Sequence, residues 1–245
     1  MDALSIIAAN QNLHMWQHPL GTDKEWPHTF LSCLYTRKFL KDHKVKSILE
    51  IGYANGASLA LWMHAFPQAT IVGVDINECK NPHPALQISD RLTMLRADAY
   101  SPDFINRLNQ KFDVIIDDGP HTVASQIQAL NGFHDYLTQN GFLIVEDVAR
   151  GLVTARMIRR GCSKEIRRNL VYYDFRKIRN HFDNCLVVYF KNSDEAKSER
   201  SRQSRWSQIT FVAPIKLPSE IAISFYSRKV FYGIRYRIMK AFGMK

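Results

Sequence analysis

The run Phe112-Asp113-Val114-Ile115-Ile116-Asp117-Asp118-Gly119-Pro120-His121, followed about one helix later by Phe142-Leu143-Ile144-Val145-Glu146-Asp147, decides the fold. Each is a short apolar stretch, rich in β-branched residues, that ends in two adjacent carboxylates. Such runs suit strands of a parallel sheet buried on both faces, and neighbouring parallel strands bring their ends to one edge. Carboxylates and an imidazole gathered there describe a divalent-metal site with a base beside it. The alternative is that Asp117 and Asp118 cap a helix near His121, itself then a first-turn residue, while Glu146 and Asp147 cap one near Val148. Mutual repulsion between two such pairs, with no cation between them, opposes that alternative.

Working outward, strand-like runs at Ser47 to Ile51, Thr70 to Val74 and Leu92 to Leu95 precede these two. Helix-length segments lie between: Ala57 to Phe66 before Pro67, Ser101-Pro102 to Asn109, and His121 to Leu137 before Asn140-Gly141. This alternation predicts an α/β, doubly wound, mostly parallel sheet. Leu170 to Tyr173 and Cys185 to Phe190 complete its far edge as a hairpin-like pair, making seven strands. With 245 residues and 46% hydrophobic content, the chain is long enough for one such domain with appendages. The four cysteines (Cys33, Cys79, Cys162, Cys185) form no CxxC pair, which speaks against a disulfide framework or zinc cluster. Neither a signal peptide nor a spanning helix is evident, so the expected location is cytoplasmic.

Charge divides the chain. Residues 1–149 hold 11 Lys/Arg against 16 Asp/Glu, and residues 150–245 hold 22 against 7, so a net +10 combines −5 with +15. A basic half fits nucleic acid, a phosphorylated substrate or an anionic membrane surface; a solvated basic face is the alternative.

In a sheet of this kind ligands bind beyond the carboxyl ends of the strands. The first strand leads into Glu50-Ile51-Gly52-Tyr53-Ala54-Asn55-Gly56-Ala57-Ser58, a GxxxG spacing that suits a pyrophosphate poorly. Its acid repels phosphate and attracts an ammonium or sulfonium. The second strand ends at Asp75, where a carboxylate accepts both hydroxyls of a ribose, and the third leads to Asp98-Ala99, placed for an adenine edge.

An acidic glycine loop followed by a ribose-binding acid resembles the class I S-adenosylmethionine-dependent methyltransferases, through residues 46–147. That resemblance implies a Rossmann-like sheet and a cofactor site comprising Glu50, Gly52, Tyr53, Gly56, Ser58, Asp75, Asp98, Ala99 and Asp117. Asp117 is left between touching the cofactor's amino group and supporting metal ligands. A narrower resemblance runs from about Gly21 to Phe190. Gly21-Thr22-Asp23-Lys24 with His28, Gly56-Ala57-Ser58, Trp62, Phe66-Pro67 and Gly73-Val74-Asp75-Ile76 are similar to the metal-dependent sugar O-methyltransferases of the macrocin and mycinamicin type, grouped with cephalosporin-hydroxylase-like proteins. That family's Asp-Asp-Gly-Ser-His reads Asp117-Asp118-Gly119-Pro120-His121 here, and its later Glu-Asp is Glu146-Asp147. The resemblance implies Mg²⁺ on Asp118, Glu146 and Asp147, with Mn²⁺ as an acceptable substitute, and His121 as general base. The segment Asp174 to Asn184 also resembles the family, with no roles attached. Lys24 and His28 are candidates for a lid, or for an ordinary loop.

The implied activity is methyl transfer from S-adenosylmethionine to a sugar hydroxyl of a glycan, glycolipid or glycosylated natural product. A hydroxyl with a pKa of roughly 15 to 16 needs a metal and a base before it attacks a sulfonium at neutral pH. The alternatives are an RNA or other nucleic-acid methyltransferase, which the acids after strand four disfavour, and a noncatalytic S-adenosylmethionine-binding protein. The expected organisation is an N-terminal lid or helical segment over 1–45, the methyltransferase core over 46–190, a flexible polar linker with a short extended segment over 191–217, and a basic amphipathic helix over 218–245. That last helix is expected to lie on an anionic membrane at its inner face, or to dock onto the body or a second subunit as a homo-oligomer contact.

Overall fold

The computed structural model describes residues 2–25, 28–42, 44–179 and 181–206. The chain begins with helix α1 (Ala3–Asn10), capped by the Asp2 carboxylate, and a π-type helix over Leu31–Asp42. Then follow β1 (Ser47–Ile51), α2 (Ala57–Ala65), β2 (Thr70–Asp75), β3 (Leu92–Arg96), α3 (Pro102–Arg107), β4 (Phe112–Asp117), α4 (Val123–Phe133) and β5 (Leu137–Val145). The remainder is α5 (Leu152–Gly161), α6 (Lys164–Asn169), β6 (Leu170–Asp174), α7 (Arg176–Arg179), β7 (Cys185–Phe190) and α8 (Ser193–Trp206).

These strands form one seven-stranded sheet in the order β3-β2-β1-β4-β5-β7-β6. Pairings are parallel from β3 to β5, and β7 runs antiparallel to both β5 and β6. The doubly wound α/β expectation therefore holds, and the late pair closes the far edge with β7 inserted next to β5. Alternation along each strand splits the core between the two faces. Ile48, Val114, Ile116 and Ile144 meet the N-terminal helices, α2 and Ala196 of α8. Leu49, Ile51, Ile115, Leu143 and Val145 meet Phe104, Leu130, Phe133, Ile158 and Ile166 on the other face.

Three expected boundaries shift. Helix α4 starts only at Val123, because Thr122 and Ser125 form a reciprocal capping box there. It ends at Phe133, and β5 takes up Thr138, whose hydroxyl donates to Asp113 at 2.9 Å. The largest difference is 193–206, read as a flexible polar linker and found as α8. Asn192 caps its first turn by accepting from the Asp194 and Glu195 amides. Its acids then dock instead of being solvated: Glu199 receives both terminal nitrogens of Arg37 and the Tyr173 hydroxyl, and Lys38 sits against Glu195 and Glu199. The proposed basic helix over 218–245 lies outside the described residues. Among those described, no helix is long and apolar enough to cross a membrane.

Candidate active site and metal centre

The parallel pairing sets Ile51 beside Val74 and beside Asp117, and Asp117 beside Val145, so four strand ends open on one edge. Neither acid pair caps a helix. Thr122 caps α4 and Gly151 precedes α5, which leaves the acids for other work. The backbone at this edge is unusual: Ala54, His121, Asp147 and Arg150 all have positive φ. Non-glycine residues in that region are uncommon and concentrate at functional sites.

Consecutive acids part company here. Asp118 and Glu146 share the face of Glu50, under the N-terminal segment, and Lys24 lies between them. Its ammonium is 2.6 Å from Glu146, 2.9 Å from Asp118 and 3.3 Å from Glu50. Tyr35 donates to the other oxygen of Glu146, and Trp62 donates its indole N–H to Glu50 at 2.9 Å. Burial opposes the charge of Lys24, but three carboxylates hold its pKa well above the ordinary lysine range. One ammonium does not neutralise three acids, so burial pushes Glu50 and Glu146 upward. With both oxygens engaged, Glu146 is less open to a metal than the sequence alone implies. Glu50, expected to face the cofactor's charge, is likewise sealed among Lys24, Trp62 and Ser58.

On the open side, Asp118, His121 and Asp147 each offer a ligand atom, all within 4.8 Å of one another. His121 Nε2 stands 3.7 Å from Asp118 and 3.8 Å from Asp147. The carboxylate oxygens of Asp118 and Asp147 suit Mg²⁺ or Mn²⁺, and the His121 imidazole stands at their edge with Nε2 available as a base. Beyond Asp147 lies a second cluster. His28 Nε2 is 3.1 Å from both Asp147 and Asp183, and His181 Nδ1 also faces Asp183. Burial works against a charged His28, but Asp147, Asp183 and Asp23 outweigh it and push its pKa up to about 9. His28 is thus a cation at neutral pH and clamps the acids. Burial pushes Asp147 well up in turn, against the His28 charge.

The glycine loop sits beside this centre. Gly52 has φ of 84°, and a Cβ there would stand 2.2 Å from the Asp118 carbonyl oxygen, so only glycine lets the two loops meet. Asp75 accepts the Ala54 amide at 3.0 Å and the Asn77 amide at 2.8 Å, which fixes the loop's shape. Tyr53 and Gly56 are buried within it, Asp98 is exposed after β3 and Ala99 is buried behind it. Asp117 is turned to the opposite face from Asp118 and accepts from the Tyr100 hydroxyl at 2.5 Å. Burial, with Asp118 adding to it, pushes Asp117 up to about 7. The one signal for Tyr100 in the sequence is its place immediately after Asp98-Ala99. Asp183 and His181 were visible only as a family-like segment.

A methyltransferase-domain family model matches residues 49–148. The L-olivosyl-oleandolide 3-O-methyltransferase of Streptomyces antibioticus is 34% identical over 118 residues, 44% of this chain and 29% of that protein. The 8-demethyl-8-(2-methoxy-alpha-L-rhamnosyl)-tetracenomycin-C 3'-O-methyltransferase of Streptomyces olivaceus is 32% identical over 126 residues, 47% of this chain and 31% of that protein. In fold, the chain is similar to the MycE methyltransferase from the mycinamycin biosynthetic pathway, solved in complex with Mg, SAH and mycinamycin VI. The TM-score is 0.55 at 18% identity, covering 78% of this chain and 55% of that one. The matched segments thus span about a third of the length of these curated relatives. Residues 49–148 are similar to methyltransferase domains, in a chain that resembles the sugar O-methyltransferases of natural-product pathways.

Proposed function

We propose that this protein is a metal-dependent O-methyltransferase that moves the methyl group of S-adenosylmethionine to a sugar hydroxyl of a glycan, glycolipid or glycosylated natural product. The observation that carries the reading is the open Asp118, His121 and Asp147 group, at the strand ends next to the Gly52 to Gly56 loop and Asp75. The sugar O-methyltransferase names of the relatives favour a sugar acceptor over nucleic acid.

Asp118 and Asp147 hold the ion, while Glu146 buttresses the site from below through Lys24 and Tyr35. A bound Mg²⁺ supplies Lewis acidity toward a hydroxyl oxygen, and S-adenosylmethionine supplies an electrophilic methyl group. His121 takes the hydroxyl proton at Nε2, which faces both acids. Asp75 orients the ribose, Gly52 and Gly56 allow close backbone approach, and Asp98 with Ala99 borders the adenine. Because the methyl donor is already activated, alignment and proton removal are what the chain itself contributes.

A second imidazole has its own observation. Asp183 fixes Nδ1 of His181, as a carboxylate does when it orients a general base through the far nitrogen. Comparing His121→Ala with His181→Ala in single-turnover assays separates the two. The base variant loses the acid-side fall of the methyl-transfer rate, which reflects protonation of the base, while the other retains it.

The decisive assay is methyl transfer over a panel of glycosylated acceptors, before and after chelation. Turnover that falls to background on chelation and returns with Mg²⁺ or Mn²⁺ supports the mechanism; full turnover after thorough metal removal rejects it.

A further inference from the structure

Helix α5 leaves a face uncovered that differs from the rest of the described surface. Its inner side, Thr154, Ala155 and Ile158, is buried against the sheet. Its outer side exposes Leu152 at 46%, Val153 at 61% and Met157 at 50%. Arg156 and Arg160 interleave with them one turn apart, and Arg159, Lys164 and Arg168 extend the same basic surface into α6. Against six Lys/Arg in α5 and α6 stands one acid, Glu165. Arg167 bends back onto the Cys162 and Arg160 carbonyls, whereas no carboxylate among the described residues pairs with Arg156, Arg159, Arg160 or Lys164.

Exposed apolar side chains set among unpaired cations on one helix face are what an anionic interface accommodates: the apolar groups enter the acyl boundary while the guanidiniums meet phosphates. A second copy of this chain is a poor occupant, since a two-fold contact would set arginine against arginine. We propose that the outer face of α5, with the adjoining cations of α6, docks on an anionic lipid surface. Leu152 lies five residues past Asp147, so the docking helix follows directly on the loop that carries Asp147. The docking is separate from the expected role of 218–245 and does not depend on methyl transfer.

The test is co-sedimentation of the full chain with phosphatidylcholine vesicles, with and without phosphatidylglycerol, at low and high salt. Binding should require the anionic lipid and weaken with salt. Arg156→Gln with Arg160→Gln should lower the partition coefficient about fivefold per cation removed. Val153→Ser with Met157→Ser should lower it by on the order of tenfold. Thermal unfolding of both variants should match the parent, because the four side chains are exposed. Three results overturn the proposal: vesicle binding that ignores lipid charge, binding that survives both double substitutions within twofold, or variants that dissolve an oligomer in sedimentation velocity while vesicle binding stays unchanged.

Discussion

Glu146 and Asp147 are adjacent in the chain, yet they belong to two chemically different clusters. Glu146 is 1% exposed and held against Lys24, a lysine with no exposure at all. Asp147 is 14% exposed and faces His121, which is 36% exposed, across the open edge. Asp118 belongs to both, giving one oxygen to Lys24 and the other to the His121 side. The difference teaches that adjacent carboxylates at the same strand end do opposite work according to which cation reaches them. In the sealed cluster the chain supplies its own cation, and the charge pattern is structural. In the open cluster Asp118 and Asp147 have partial access to solvent, His28 balances only the inner side of Asp147, and the proposed ion would complete the outer side.

The strongest way to break this contrast is at the open cluster. Asp147→Ala should lower methyl transfer on the order of 10³-fold and abolish metal binding, read by isothermal titration. Retained metal affinity would move the site elsewhere. Lys24→Met strikes the sealed cluster and should cost about 3–5 kcal/mol of folding stability, because it leaves buried acids without a counter-charge. Adding Glu146→Gln should recover part of that loss in urea unfolding. If Lys24→Met left stability unchanged but weakened metal binding, the sealed cluster would be part of the metal site after all.

A third prediction sharpens the contrast by pH. Glu199 is buried, which alone would raise its pKa, but Arg37, Tyr173 and Lys38 overcome that and depress it to about 2. A depressed carboxylate stabilises the fold fully above its unfolded value of about 4.3 and stops doing so as pH falls through its folded value. The contribution is therefore lost between about pH 4.3 and pH 2. Glu199→Gln should remove on the order of 3 kcal/mol at neutral pH and flatten the stability profile over that window. An unchanged profile would detach α8 from the N-terminal segment. The smallest effect is expected of Tyr100→Phe, which deletes one hydrogen bond to Asp117. Cofactor affinity should fall about fivefold, near 1 kcal/mol, with metal affinity unaltered.

Much of the sheet was legible because buried parallel strands leave continuous apolar runs, as in Val114-Ile115-Ile116, and because the acids stand directly after them. The Asp118, His121 and Asp147 grouping follows from that register. What the sequence concealed were partners far along the chain. Lys24 meets Asp118 94 positions away and Glu146 122 positions away, and no local pattern marks such a pairing. Helix α8 was read as linker because its residues are polar, yet its stabilising contacts are the very charges that suggested solvation: Glu195 and Glu199 meet Arg37 and Lys38. Composition registers how polar a segment is and is silent about whether its charges have buried partners.

The close approach of Gly52 to the Asp118 carbonyl has a thermodynamic consequence. The Asp118 amide donates to the Ile51 carbonyl at 2.9 Å, so the glycine loop and the Asp118 loop are joined at Ile51 and again at Gly52, and under the proposed function these loops carry the methyl donor and the ion. A displacement of either loop is felt directly by the other. Two ligands that bind such a joined pair obey reciprocal linkage: whatever factor the methyl donor lends to ion affinity, the ion returns to the donor. Titrating the ion with and without S-adenosylhomocysteine measures that factor, and a Gly52→Ala chain that still folds should bring it toward unity.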